Sequence, residues 1–176
     1  MLKPMRRITT GVDAKTSESL IVAHEQVDVL IPYPQFPSFK LQNIFYTEDN
    51  LQSLETRHMD KPYDIQLPAG AMRFLKIRMP TISEMSADLK TAGQDVPNNW
   101  AEFNLHSTDS IDYFYILSGK ITCIVGEQQI QLQEGDFLVQ VGPEHTWVNE
   151  HDEPCYGLAV MVGIKPSGDR KKMMLG

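Results

Sequence analysis

Basic residues and cysteine are both scarce in this chain. Of its 176 residues, 16 are Lys or Arg against 23 Asp or Glu, which gives a formal net charge of −7. Nucleic-acid binding draws its affinity from clustered Lys and Arg on phosphates, so that class of function is disfavoured. The acidic balance reads as a solvated surface. The two cysteines, Cys123 and Cys155, stand apart inside apolar stretches without metal-type spacing. They read as small buried hydrophobes and not as catalytic thiols. Long apolar runs are absent as well: nothing approaches the roughly 18 residues of a membrane span. The basic start MLKPMRRITTGVD is not followed by the apolar stretch of a secretory leader. The expectation is a cytoplasmic protein that engages neither membrane nor nucleic acid. No helix-turn-helix segment is legible, which disfavours a DNA-binding regulator.

What the chain does contain is short strands and turns. At this length one domain is expected, and a chain of this size buries roughly 70% of its unfolded surface, enough for a core without disulfides. Strands are predicted at Arg7–Thr10, Ser19–Ala23, Val27–Ile31 and Leu41–Thr47, with a turn at Gly11-Val12-Asp13. Pro32, Pro34 and Pro37 interrupt any ladder, so 32–39 reads as an extended surface crossing. The segment Glu48–Asp64 is polar, and its His58, like His24, reads as a solvated histidine.

From Ile65 the pattern sharpens. Ile65–Leu67 and Met72–Met79 read as strands around a Pro68-Ala69-Gly70 turn. In the second, Phe74, Lys76 and Arg78 share one face while Arg73, Leu75, Ile77 and Met79 share the other. One of these arginines is a candidate to project inward and hold a carboxylate, and Arg78 is assigned to the pocket; a surface salt bridge is the alternative. Thr81-Ile82-Ser83-Glu84 is a capping-box signature opening a helix, with Ile82, Met85, Leu89 and Ala92 at helical spacing and Gly93 as its stop. Residues 94–104 read as a polar loop, and the whole segment 81–104 as a lid over the site that follows or a helix packed on the sheet. Further strands are predicted at Tyr113–Leu117, Lys120–Val125, Ile130–Gln133, Phe137–Val141, Thr146–Val148 and Cys155–Ile164. So many short strands with one short helix indicate a jelly roll or barrel.

The chemistry concentrates between His106 and Asn149. His106 and Asp112 are six residues apart, an even spacing that on an unbroken strand puts both side chains on one face. His145 lies in a later strand. Two imidazoles and a carboxylate brought together by folded-back strands have the donor types of an open metal site. A core histidine bonded to backbone and a carboxylate capping a strand end are the structural alternatives.

This same stretch resembles the two motifs of the cupin superfamily. His106 matches the first histidine of the first motif, Asp112 stands where a glutamate is usual, and Gly119 closes the motif at the right spacing. Gly135, Gly142, His145 and Asn149 follow the second motif. Thr108 occupies the second histidine position, and the second motif is one residue short, with Val141 directly before Gly142. The wording HSTDSIDY and GDFLVQVGPEHTWVN is similar to a subgroup of small single-domain cupins. The resemblance implies an all-β fold, a double-stranded β-helix or jelly-roll barrel at about 65–164, with added N-terminal strands at about 7–47, one short helix and a basic tail at 165–176. It implies His106, Asp112 and His145 as ligands of a divalent Fe, Mn, Zn or Ni ion. Thr108, Phe114, Ile116 and Trp147, at even offsets from those ligands, would line the same pocket.

Two classes of function follow. One is a metal-dependent enzyme on a small oxygen-rich or aromatic molecule, of dioxygenase, decarboxylase, isomerase or dehydratase type. The other is a cupin that binds a small molecule without chemistry. Open sheet edges further imply a homodimer built partly by the N-terminal strands.

Overall fold

A computed structural model describes residues 2–13, 15–48, 58–142 and 144–165. Among the described residues, ten strands are distributed over three antiparallel sheets. β1 (Met5–Val12) and β2 (Ser19–Val27) form a hairpin of their own. The large sheet runs in the order β3 (Lys40–Thr47), β4 (Met72–Met79), β10 (Cys155–Gly163), β5 (Ser110–Ser118), β8 (Phe137–Val141). The small sheet runs β7 (Gln128–Gln133), β6 (Lys120–Val125), β9 (His145–Val148). Burial alternates along the inner strands, as a two-residue period demands. Cys155, Gly157, Ala159, Met161 and Gly163 of β10 are buried, and so are Ser110, Asp112, Phe114 and Ile116 of β5. Leu41, Leu75, Ile116 and Ala159 of the large sheet join Ile121, Cys123 and Leu132 of the small one in a single core, so the inner faces of the two sheets pack on each other. The result is an all-β barrel of the expected kind.

The backbones approach most closely at the end of β10. Gly163 donates to the Ala71 carbonyl and accepts from the Gly70 amide, each at 2.8 Å, closing the turn after Pro68 onto the sheet. A β-carbon at Gly163 would overlap the Pro68 carbonyl oxygen, with the Pro68 carbonyl carbon at 2.9 Å and Leu67 Cβ at 3.1 Å. Gly157 is similarly constrained by the Phe114 ring, whose Cζ would lie 2.6 Å from such an atom.

Several expectations need correction before β4. The first strand runs straight through Gly11 and Val12; the chain reverses only after Asp13, whose carboxylate accepts from the amides of Lys15 and Thr16. Val27–Ile31 is not a strand. β2 ends at Val27, and only Leu30 makes a ladder contact, with Leu41. Ile65–Leu67 is irregular, because its role is to seat Ile65 against the core on the way into the Pro68 turn. His24 is exposed, whereas His58 is half-buried with its Nδ1 accepting from the Tyr46 amide at 3.1 Å. The hairpin is tied to β3 by Arg7, which donates to the Ile44 carbonyl, and by Gln42, which donates to those of Lys3 and Val27.

Helix α1 (Ile82–Thr91) carries the expected capping box: Thr81 Oγ1 accepts from the Glu84 amide and Glu84 returns the bond to the Thr81 amide, both at 3.1 Å. The expected loop at 94–104 instead ends in a single helical turn, α2 (Trp100–Phe103), because the Asn99 side chain caps two of its amides. Trp100, Leu89 and Phe36 then form a second small core beside the barrel. The basic tail, 166–176, most of the polar segment between Glu48 and Asp64, and Pro143 lie outside the described residues. No described helix is long and apolar enough to cross a membrane.

Candidate functional site

His106 and His145 meet through the backbone. Each donates its amide to the other's carbonyl, at 2.9 and 2.8 Å, an isolated antiparallel bridge that extends the small sheet by one rung beside β9. Directly opposed residues on an antiparallel pair point to the same side, and the two imidazole centroids are 4.4 Å apart. His106 Nδ1 lies 2.7 Å from the Asn104 carbonyl oxygen. A carbonyl can only accept, so the proton sits on Nδ1 and Nε2 keeps its lone pair. Burial pushes the His106 imidazole below its ordinary range, partly opposed by that carbonyl bond.

Asp112 stands on the other sheet. The chain bends at Asp109 and enters β5 at Ser110, so between His106 and Asp112 it leaves the small sheet for the large one. An even spacing fixes a common face only along an unbroken strand, and this strand is broken. From Thr108 onward the expected alternation does hold. Ser110 Oγ is 2.9 Å from Thr108 Oγ1 and 2.6 Å from Asp112 Oδ1. One hydroxyl has one proton, so Ser110 donates it to the carboxylate and accepts from Thr108. Burial pushes the Asp112 carboxyl up from 3.8 to about 6, and the Ser110 and Thr108 hydroxyls hold back part of that rise.

These groups face a cavity of about 170 Å³ in the barrel. Phe114 and Trp147 form part of its wall as expected, their centroids 5.1 Å apart, and Thr108, His106, Asp112 and His145 line it too. Two expected pocket residues are elsewhere. Ile116 is fully buried one rung too deep, in the core between the sheets. Arg78 is on the outer face of β4, where it donates to Glu84 and to the Ser38 carbonyl, each at 2.6 Å. The inward arginine is Arg73, at 2% exposure. Its guanidinium lies over the Tyr46 and Tyr63 rings, 4.5 and 5.2 Å from their centroids, and donates to the Asp64 carbonyl.

The far wall comes from the stretches read as a surface crossing and a polar segment, together with Ile65 just after them. Tyr33, Phe36, Phe39, Tyr63 and Ile65 all line the cavity. The Tyr33 and Tyr63 rings meet edge to face, their centroids 6.4 Å apart, and burial pushes both phenols above their usual range. The signal available was the density of aromatics among the prolines of 32–39, too many for an exposed crossing. Helix α1 contributes Ile82 and Met85 to the lining.

The three residues named as metal ligands all line this cavity. Among the described residues no group of three or more His, Cys, Asp or Glu side chains is arranged to hold one ion. The two imidazoles are neighbours, but the carboxylate belongs to the opposite sheet and is engaged by hydroxyls. Thr108, in the position of a usual histidine, adds to that hydroxyl chain and not to a nitrogen set.

With barrel, bridge and cavity in place, the comparisons fall into line. Residues 94–161 match the family described as cupin domain. The matched stretch is a cupin domain. It is 30% identical over 109 residues to phomopsin biosynthesis cluster protein C' of Diaporthe leptostromiformis, covering 61% of this chain and 47% of that one. It is 38% identical over 63 residues to phomopsin biosynthesis cluster protein D of the same organism, covering 35% of this chain and 32% of that one. The chain thus spans less than half the length of either relative. Among solved structures it is similar to the Schizosaccharomyces pombe Cnp3 cupin domain, at 14% identity and a TM-score of 0.48, over 90% of this chain and 87% of that one.

Proposed function

We propose that this chain is a small-molecule enzyme of the cupin type that moves a proton within a substrate held in the barrel, an isomerisation or dehydration. The observation that carries the reading is the apolar cavity onto which His106, His145 and Asp112 face from two opposed sheets. Apolar walls with a few converging polar groups are the usual make-up of a small-molecule site. His106, neutral and with Nε2 free of its proton, is equipped to accept a proton from substrate carbon and return it elsewhere. Asp112 supplies one negative charge across the cavity. Similarity to two proteins named for a biosynthesis cluster supports a substrate drawn from a biosynthetic route.

The test is deuterium incorporation from D2O into a panel of small carbonyl compounds, followed by NMR. Exchange is expected to survive EDTA and to fall about 10²- to 10⁴-fold in His106→Ala. One equivalent of Fe, Mn, Ni or Zn per chain, lost together with turnover in His145→Ala, would restore the metal-dependent alternative. No catalysed exchange, with ligand binding retained, would leave a binding cupin.

Homodimerisation through the N-terminal strands belongs to the same proposal. The outer face of the β1–β2 hairpin leaves Ile8 and Ile21 exposed, at 51% and 65%, which invites cover by another chain. Light scattering at micromolar concentration should return twice the chain mass; a monomer mass removes the idea.

A further inference from the structure

The composition of the cavity wall is lopsided in charge. Six of its residues are aromatic, Tyr33, Phe36, Phe39, Tyr63, Phe114 and Trp147, and among the described residues its one carboxylate is Asp112. Among the described residues no Lys or Arg is on that wall. The two arginines of β4 are both committed elsewhere: Arg78 to Glu84 outside the barrel, Arg73 to the Tyr46 and Tyr63 rings and the Asp64 carbonyl. Asp112 is met by the Ser110 hydroxyl, and among the described residues it has no cationic partner. Aromatic faces carry partial negative charge and attract a cation most strongly where water is excluded. A carboxylate in the same cavity adds a full opposite charge at short range, less screened there than in bulk water.

We propose, resting on the small-molecule reading above, that the cavity takes a compact amine as its ammonium ion, with the ammonium against Asp112 and the apolar part between Phe114, Trp147 and Tyr63. The size agrees: about 170 Å³ is close to the roughly 150 Å³ of an apolar cavity that accepts benzene. Anionic molecules such as sugar phosphates or carboxylates meet Asp112 there and, among the described residues, no Lys or Arg on this wall. The net charge of −7 favours approach of a cation over that of an anion.

The experiment compares benzylamine, benzyl alcohol and benzoate, three probes of nearly one shape and three charges, with the full-length chain at pH 8. Calorimetry gives affinity and quenching of Trp147 reports on the cavity. Benzylamine should bind about tenfold or more tightly than benzyl alcohol, the ratio that a desolvated cation–aromatic contact provides, and benzoate should not bind. Asp112→Asn should abolish the preference for amine over alcohol. Equal affinity for amine and alcohol would overturn the amine inference and leave the small-molecule reading standing. Benzoate as the tightest of the three would reverse the sign and point to Arg73 instead. If none of the three binds, the small-molecule reading fails along with the inference. Should Asp112→Asn not fold, the ranking on the unaltered protein decides alone.

Discussion

Asp112→Asn is expected to flatten the dependence of stability on pH between about pH 4 and pH 7. The buried carboxyl titrates at about 6 in the folded chain against 3.8 when solvated. The folded state therefore holds this proton more tightly than the unfolded state does. Below the unfolded value both states are protonated and the side chain costs nothing electrostatic. As pH rises through the folded value the native protein must carry a desolvated charge, and stability is lost. A rise of roughly two units at 1.36 kcal/mol each is about 3 kcal/mol. Asparagine keeps the shape and has no proton to lose. Urea unfolding from pH 4 to pH 8 should show the variant gaining about 3 kcal/mol on the unaltered protein across that range, since other titrating groups cancel in the difference. A constant gap would mean that Asp112 is solvated and that the cavity is wet at its polar end.

The second large effect is steric. Gly163→Ala is expected to cost about 3 kcal/mol or more, because the new methyl would meet the Pro68 carbonyl, and both partners are backbone. Neither side can rotate away, and the two backbone hydrogen bonds that join 70–71 to Gly163 hold them in register. Gly126→Ala is the control. Its β-carbon meets nothing within 4 Å, so only the φ of +58° is at issue, a cost of about 1 kcal/mol. Thermal unfolding of the two variants should separate them widely. Equal losses would mean that the turn at Pro68 yields easily and that the seam between it and β10 is soft.

The strands from Met72 onward were legible because hydrophobic alternation and turn glycines agree there. β4, β6 and β8 begin and end where the pattern places them, at Met72–Met79, Lys120–Val125 and Phe137–Val141. The capped helix at Thr81 was legible for the same reason, a local rule with local partners. What failed were inferences that needed the chain's path. The spacing of His106 and Asp112 assumed one continuous strand, and nothing local announces that the chain changes sheets at Asp109. Arg73 and Arg78 were correctly placed on opposite faces of β4, yet which face is inward depends on β3 and β10, which flank it. The aromatic wall from Tyr33 to Phe39 was hidden because prolines signal only the absence of a ladder, not the side on which the segment packs.

The unit that a family comparison recognises here is smaller than the unit that encloses the cavity. Residues 94–161 contain both histidines, Asp112 and Trp147. They lack β3 and β4, the lining residues Ile82 and Met85, and the Tyr33 to Ile65 wall. An expression fragment cut at those boundaries would expose the edge of β10 that β4 pairs with, and would end before Gly163 closes on Ala71. Such a piece is an open half-shell with an unpaired apolar edge, a species that aggregates. Anyone seeking a minimal version of this protein must therefore keep the N-terminal half, even though the recognisable motifs all lie beyond it.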